Sequence, residues 1–423
     1  MAKATGRRQR TRGSIDVLPS GTRRIRVYAG IDPLTGKRNY LTETIPAGRG
    51  ADAAAEEALT RLLNQVNERR HPRTKATVNQ LLDRWLGVVK LEETTRRGYV
   101  SKLDRHVRPV LGQLQLGQLD PETLDSFYAT LSRCRTRCNG RKFTEHRTTT
   151  GHDCDERCKP HLCKPLSDST VRQIHWILRG ALGRAVRWRW IPLNPLDQAI
   201  PPAQPRPNPR PPSPEEAGRI LESAATDPDW GTLLWLAVTT GARRGELCAV
   251  RWADIDLDHG VLTLSRSIAQ VGGKCWEKDT KTHQQRRIAL DEETVAILRT
   301  HRKRWQERAL ALGSRLRPTA YVFSLAPDAS THLRPDSVTQ RYDRMATKLG
   351  IQTSLHKLRH YSATELIAAG VDIRTVAGRL GHGGGGATTL RVYSAWVAES
   401  DQRAAASLAA RLPQLPRPGA SGS

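Results

Sequence analysis

The stretch WGTLLWLAVTTGARRGELCAVRWADIDLDHGVLTL, residues 230–264, sets the plan of the C-terminal half. Its apolar first part reads as a buried helix that ends at Gly241, and a new helix starts near Arg243. Asp254 and Asp256 then lead into a strand. Arg243 stands where a short turn feeds a helix, so its guanidinium can reach out of the core while Leu247 and Val250 anchor it. Upstream, SPEEAGRILESAAT opens with Ser213 and Glu216, an S-x-x-E capping box that marks a helix start. Before it runs PPAQPRPNPRPPSP (201–214), with six prolines in its first eleven residues. That composition favours extended polyproline II and marks a linker over 201–212. Downstream, WEKDTKTHQQRRIALD (276–291) reads as a hairpin with Lys281 near its turn. HKLRHYSATELIAAG (356–370) reads as a helix, where His356 and Arg359, three apart, project from one face. RLGHGGGGATTLRVYSAW (379–396) carries His382, four glycines and Tyr393.

The N-terminal half has a different texture. Residues 14–45 hold three short β-branched and aromatic runs broken by Pro-Ser-Gly and Pro-Leu-Thr-Gly turns, and ADAAAEEALTRLLNQVNERR follows with helical periodicity. The runs carry Arg23, Arg24 and Arg26, which a sheet can lay against a DNA groove or simply expose to solvent. Residues 73–133 read as helices, one bearing Arg96, Arg97, Lys102 and Arg105 as a candidate DNA-facing surface. A further helix spans 169–190, with Trp176, Leu178, Ala181 and Ala185 on its expected core face.

Between those helices lies a polar insert, residues 134–163, holding five of the chain's seven cysteines. Zinc takes thiolate and imidazole ligands in fours, and Cys-x3-Cys and Cys-x2-His spacings let one turn supply two. A disulfide pair or free thiols are the other readings. The expected ligands of one structural zinc are Cys134, Cys138, Cys154 and Cys158, with His161 and Cys163 as substitutes.

Length and charge agree with a nucleic-acid partner. The 423 residues suggest two to three domains, and 68 Lys+Arg against 42 Asp+Glu leave a formal charge of +26. That excess calls for a polyanion, most commonly a nucleic-acid backbone. No apolar run reaches the roughly 18 residues that would cross a bilayer, and MAKATGRRQRTR lacks the apolar segment of a secretion signal. No membrane partner is expected, and the expected location is the bacterial cytoplasm, on the nucleoid. No aromatic ribonucleoprotein motif favours RNA.

Singly, each polar motif of the C-terminal half has an ordinary structural explanation: a surface arginine, a satisfied histidine, a core tyrosine. In order, TTGARRGEL, a lysine before RRIAL, HKLRH, LGH and a following tyrosine resemble the tyrosine recombinase (phage integrase) family. The resemblance covers about residues 213–400. It implies Arg243, Lys281, His356, Arg359 and His382 as catalytic residues, Tyr393 as nucleophile, and Glu246 as support for Arg243. Two residues more than usual separate His382 from Tyr393, and they fall in the glycine run Gly383–Gly386, which accepts any backbone angle.

The implied fold is multidomain α+β. An arm-type DNA-binding domain of small sheet plus helix spans 1–72, and a helical core-binding domain with the Cys/His insert spans 73–200. A mainly α catalytic domain with a small sheet covers 213–400, and a helical tail covers 401–423. The implied activity is cutting and rejoining of double-stranded attachment sites through a 3′-phosphotyrosyl link, integrating or excising a mobile element, with no cofactor in catalysis. Implied partners are a homotetramer on DNA and, as accessories, a directionality factor or host DNA-bending protein. A type IB topoisomerase shares the active-site logic, and an inactive DNA-binding regulator would be expected to have lost one of Arg243, Lys281, Arg359 or Tyr393, all of which are present.

Overall fold

A computed structural model describes residues 13–68, 71–148, 150–204, 209–279 and 285–382, with Gly386, Ala387, Thr389, Leu390, Val392 and Tyr393. The chain divides into two compact units, Met1–Pro205 and Arg206–Ser423, and the boundary falls inside the proline-rich stretch.

The first unit begins with an antiparallel sheet, β1 (Gly13–Val17), β2 (Arg23–Ile31) and β3 (Arg38–Ile45), in the order β1-β2-β3, followed by α1 (Ala51–Asn67). Ile25 and Val27 of β2 are fully buried and pack with Ala55, Ala58 and Leu62 of α1. Strand side chains alternate between faces, so Arg23 shares the helix side with Ile25 and Val27. It makes a two-pronged ion pair with Asp52 of α1, at 2.8 and 2.9 Å. Arg23 therefore ties sheet to helix, whereas Arg24 and Arg26 occupy the opposite face, where Arg26 stacks 4.7 Å from the Tyr40 ring centre.

The helical part follows: α2 (Val78–Val88), α3 (Glu93–Lys102), a π-helical turn at Leu103–Val107, α4 (Arg108–Leu111), α5 (Pro121–Arg133) and α6 (Asp168–Arg187). Thr77 and Gln80 cap α2 reciprocally, which fixes its start. Leu82, Leu103, Leu124, Leu131, Ile174 and Leu178 are buried in one core. On α6, Leu178, Ala181 and Ala185 lie inside as expected, but Trp176 is 48% exposed. Its face instead carries cations, with Arg172 and Arg179 guanidinium groups 5.5 and 5.8 Å from its ring. Between α5 and α6 the insert holds only the two-residue strands β4 (Thr144–Glu145) and β5 (Lys159–Pro160), which pair antiparallel.

The second unit runs α7 (Pro214–Ala225), α8 (Pro228–Thr240), α9 (Arg244–Ala249), β6 (Ile255–Asp256), β7 (Val261–Leu264), β8 (Arg266–Val271), β9 (Lys274–Asp279) and β10 (Arg286–Ala289). It continues with α10 (Glu292–Ala311), α11 (Pro335–Lys348), α12 (Leu355–Ala368) and α13 (Ile373–Leu380). The Ser213–Glu216 capping box forms as the sequence predicts. Helix α8 is buried on most sides, through Trp230, Leu233, Leu234, Leu236 and Ala237. The hairpin expected over 276–291 does not form among the described residues: β9 pairs with β8 around Gly272 and Gly273, and β10 pairs with β7. Register explains the exchange, because Ile288 of β10 buries beside Leu262 of β7 and joins the main core. No helix among the described residues is long and apolar enough to cross a membrane.

Candidate active site

The site grows from two helix ends. Gly241 ends α8 in the left-handed conformation (φ 60°), and a β-carbon there would lie 2.5 Å from Leu380 Cδ2, so only glycine fits. The reversal delivers Arg243 to the start of α9 and Glu246 to its first turn. Glu246, 2% exposed, accepts from the Arg243 backbone N–H (2.8 Å), Arg243 Nη1 (2.9 Å) and Arg286 Nη2 (2.6 Å). Arg244, the neighbouring arginine, turns away to Thr339 and Asp336 of α11.

Three guanidinium groups meet the carbonyls left over at the C-termini of α8 and α13. Arg359 of α12 donates to Gly241 O and Leu380 O, both at 2.6 Å. Arg286 donates to Leu380 O at 2.8 Å, and Arg243 to Gly381 O at 3.0 Å. These helix ends carry partial negative charge and unpaired acceptors, so they hold cations where a second carboxylate is missing. Gly381 is also left-handed (φ 65°), and a β-carbon there would collide with Arg286 Nη1.

Among the described residues, charge in the cluster is unbalanced, three guanidinium groups to one carboxylate. Burial first, then Arg243 and Arg286, pushes Arg359 down to about 9. Burial raises the Glu246 carboxyl, but Arg286 and Arg243 outweigh it and hold the group below its usual value. A buried positive excess is what an anionic oxygen would neutralise.

Tyr393 is 1% exposed and packs with Ala363, Ile367, Val376 and Leu380. Its hydroxyl lies 2.6 Å from Nδ1 of His360. Burial, followed by His356 and Arg359, pushes His360 down to about 4, so its imidazole is neutral near pH 7 and Nδ1 can accept the phenol proton. Burial pushes the Tyr393 phenol up to about 12, opposed by Arg359. His356 is exposed, with its ring edge-on to His360 at 4.9 Å between centres. Partial desolvation, then Arg359 and Arg243, lower its pKa. His382 is half-buried, with Nδ1 2.8 Å from Thr389 Oγ1. Burial, then Arg359 and Arg243, pushes it down to about 4.

Of the residues expected from sequence, Arg243, Glu246 and Arg359 converge on one cluster. Lys281 lies outside the described residues. Two members went unforeseen. Arg286 is a charged residue at a buried strand position, alternating in burial with Arg287, Ile288 and Ala289, and that parity was its only signal. His360 was visible as the last letter of HKLRH, beside Arg359.

Among the candidate DNA contacts besides Arg23, Arg97 pairs with Glu93 at 2.9 Å. Arg96 donates to Leu86 O at 2.6 Å, and Lys102 to Gly98 O at 3.3 Å. Arg105 lends its carbonyl to Arg137 Nη1 at 3.0 Å. The zinc expectation needs correction, because Cys134, Cys138, Cys154 and Cys158 do not meet. They divide between two groups, one with His161 and Cys163, the other with His146 and His152. Strand β4 precedes the second cysteine pair and β5 follows it, so that pair lies in the hairpin's loop with His146 and His152, while His161 and Cys163 return beside the first pair.

The site thus sets a buried arginine cluster beside a tyrosine hydroxyl hydrogen-bonded to a histidine. Residues 213–397 match the phage integrase family. It is 29% identical over 162 residues to a tyrosine recombinase XerC-like protein of Caldanaerobacter subterraneus subsp. tengcongensis, covering 36% of this chain and 41% of that one. It is 24% identical over 383 residues to the ICEBs1 integrase of Bacillus subtilis strain 168, covering 90% and 95%. The chain spans about half the length of several curated relatives it matches. A lambda integrase tetramer bound to a Holliday junction shares the fold at TM-score 0.52 and 18% identity, covering 88% of this chain and 96% of that one.

Proposed function

We propose that this chain is a site-specific integrase that cuts and rejoins double-stranded attachment sites of a mobile element through a 3′-phosphotyrosyl intermediate. The observation that carries this reading is the cluster of Arg243, Arg286 and Arg359 around Glu246, with Tyr393 hydrogen-bonded to the residue after Arg359. In the proposed step, Tyr393 Oη attacks the scissile phosphorus and the bond to the 5′-oxygen breaks. Charge accumulates on the non-bridging oxygens, where Arg243 and Arg359 stabilise it more than in the ground state. Arg286 positions the other two through Glu246 and Leu380 O. With its hydroxyl pushed up to about 12, Tyr393 gives up its proton during attack rather than before it. His360, already bonded to that hydroxyl, is placed to take the proton, with His356 beside it. Lys281 protonates the leaving 5′-oxygen, and His382 donates to the phosphate. One phosphodiester replaces another, so rejoining needs no external energy source.

On DNA, the face of β2 bearing Arg24 and Arg26 grips the arm site, and the α3 region of the helical part grips the core. A homotetramer spanning two sites fits the tetrameric assembly of lambda integrase on its junction, and a directionality factor or DNA-bending protein completes it. The test is a nicked substrate that traps covalent complex. Wild-type protein accumulates adduct, whereas Tyr393→Phe binds the site with unchanged affinity and forms none. Strand cleavage by Tyr393→Phe overturns the assignment.

A further inference from the structure

The insert between α5 and α6 is too poor in apolar residues to fold by burial. Apart from Cys138, none of the described residues between Arg135 and Pro165 is a buried apolar side chain; Phe143 is 44% and Leu162 70% exposed. Its two strands have two residues each. A segment of about thirty residues in that condition ordinarily needs a covalent or metal staple.

The side chains that do converge have the chemistry of one metal. Cys134, Cys138, His161 and Cys163 place their ligand atoms within 4.8 Å of one another, and so do His146, His152, Cys154 and Cys158. In the first group, Cys134 Sγ is 3.4 Å and Cys163 Sγ 3.6 Å from His161 Nε2, while Cys138 and Cys163 sulfurs are 3.3 Å apart. In the second, His152 Nε2 is 3.1 Å from Cys158 Sγ, and His146 Nδ1 is 3.4 Å from Cys154 Sγ. Neighbouring donors around a tetrahedral zinc, with Zn–S about 2.3 Å and Zn–N about 2.1 Å, stand about 3.5–3.8 Å apart. Both groups are near that spacing, and all the cysteines are free thiols.

Outer partners supply a second, independent indication. His161 turns its other nitrogen to Glu145, 2.7 Å away, with Phe143 stacked on its ring. His152 turns its Nδ1 to the Thr150 carbonyl at 3.0 Å. A carboxylate or carbonyl behind the imidazole fixes the tautomer and aims the remaining nitrogen, as metal-ligating histidines require.

We propose that the insert binds two structural zinc ions in nested sites, an outer Cys3His site and an inner Cys2His2 site. In chain order the outer site takes its ligands before and after all four ligands of the inner one. The hairpin of β4 and β5 separates them, since Glu145 and Lys159 pair across it. The outer site lies where α5 ends, for Cys134 follows Arg133 directly and Arg135 N–H donates to Lys164 O at 2.8 Å. It therefore fixes the end of α5 against the chain entering α6, and the inner site folds the tip.

Native mass spectrometry of the full chain, purified without a polyhistidine tag from zinc-supplemented cells, counts the ions. The expected result is about two zinc ions per chain, falling to about one in Cys154→Ser and to about one in Cys163→Ser. One ion or none in the wild-type chain overturns the proposal, as does either variant that still holds two. Because a chain short of one ion can misfold, the wild-type count is repeated without variants. A mercurial is titrated against a chromogenic zinc reagent, and about two equivalents should be released. Release of one or fewer overturns the proposal equally.

Discussion

Replacing Glu246 by alanine removes the one carboxylate that the described residues place in a cluster of three guanidinium groups. The carboxylate is 2% exposed and accepts three hydrogen bonds, two from Arg243 and one from Arg286, itself 8% exposed. Deleting one partner of a buried pair costs about 3–5 kcal/mol, because the remaining charge keeps its desolvation penalty without compensation. The loss should be local to α9, β10 and the end of α13, whose carbonyls then hold the cations alone. Hydrogen exchange read by mass spectrometry resolves it: peptides covering 244–249 and 286–289 should lose roughly 10²- to 10⁴-fold of protection. Sulfate should restore part of the loss, since a bound anion replaces the missing charge. A loss below about 1 kcal/mol, or one that sulfate leaves untouched, refutes the view that Glu246 neutralises a site built for an anion.

Glu246→Gln separates charge from shape. Because the folded protein holds the Glu246 carboxyl below its ordinary value, its contribution is present above the unfolded value of about 4.3 and is lost as pH falls through the folded one. The glutamine variant should lack that portion of acid destabilisation in pH-dependent unfolding. His360→Ala should slow adduct formation by about 10²-fold or more while site affinity holds, as removal of a proton acceptor does. In wild-type protein the acid limb of cleavage should lie well below the ordinary imidazole value of about 6.5, since His360 is pushed down to about 4. Arg24→Ala and Arg26→Ala should each lower the salt slope of arm-site binding by about 0.9, whereas Arg23→Ala should leave that slope alone and loosen α1 from the sheet, seen in thermal unfolding.

Much of the site was legible because its spacings are local. Arg243 and Glu246 are three apart across one helix start, Gly241 announces the helix end before them, and Arg359 sits in HKLRH. Arg286 was not legible that way. Its partners, Glu246 and Leu380, are 40 and 94 residues distant, and only strand parity betrays a charge turned inward. The same alternation separates Arg23 from Arg24 and Arg26, which sequence composition alone treats as equals. The cysteine spacing pointed to zinc chemistry, but pairing the two Cys-x3-Cys turns with one another ignored the hairpin that closes around the second of them. Trp176 fitted the apolar period of α6 and still faces out, because Arg172 and Arg179, one turn to either side, cover its ring.

The central claim is that Tyr393 becomes covalently joined to DNA. Wild-type protein trapped on a nicked attachment site, digested with protease and nuclease, should yield one nucleotide-bearing peptide, and tandem mass spectrometry should locate the 3′-phosphate on Tyr393. A phosphodiester on any other residue, or cleavage that leaves no protein-linked nucleotide, would contradict the account.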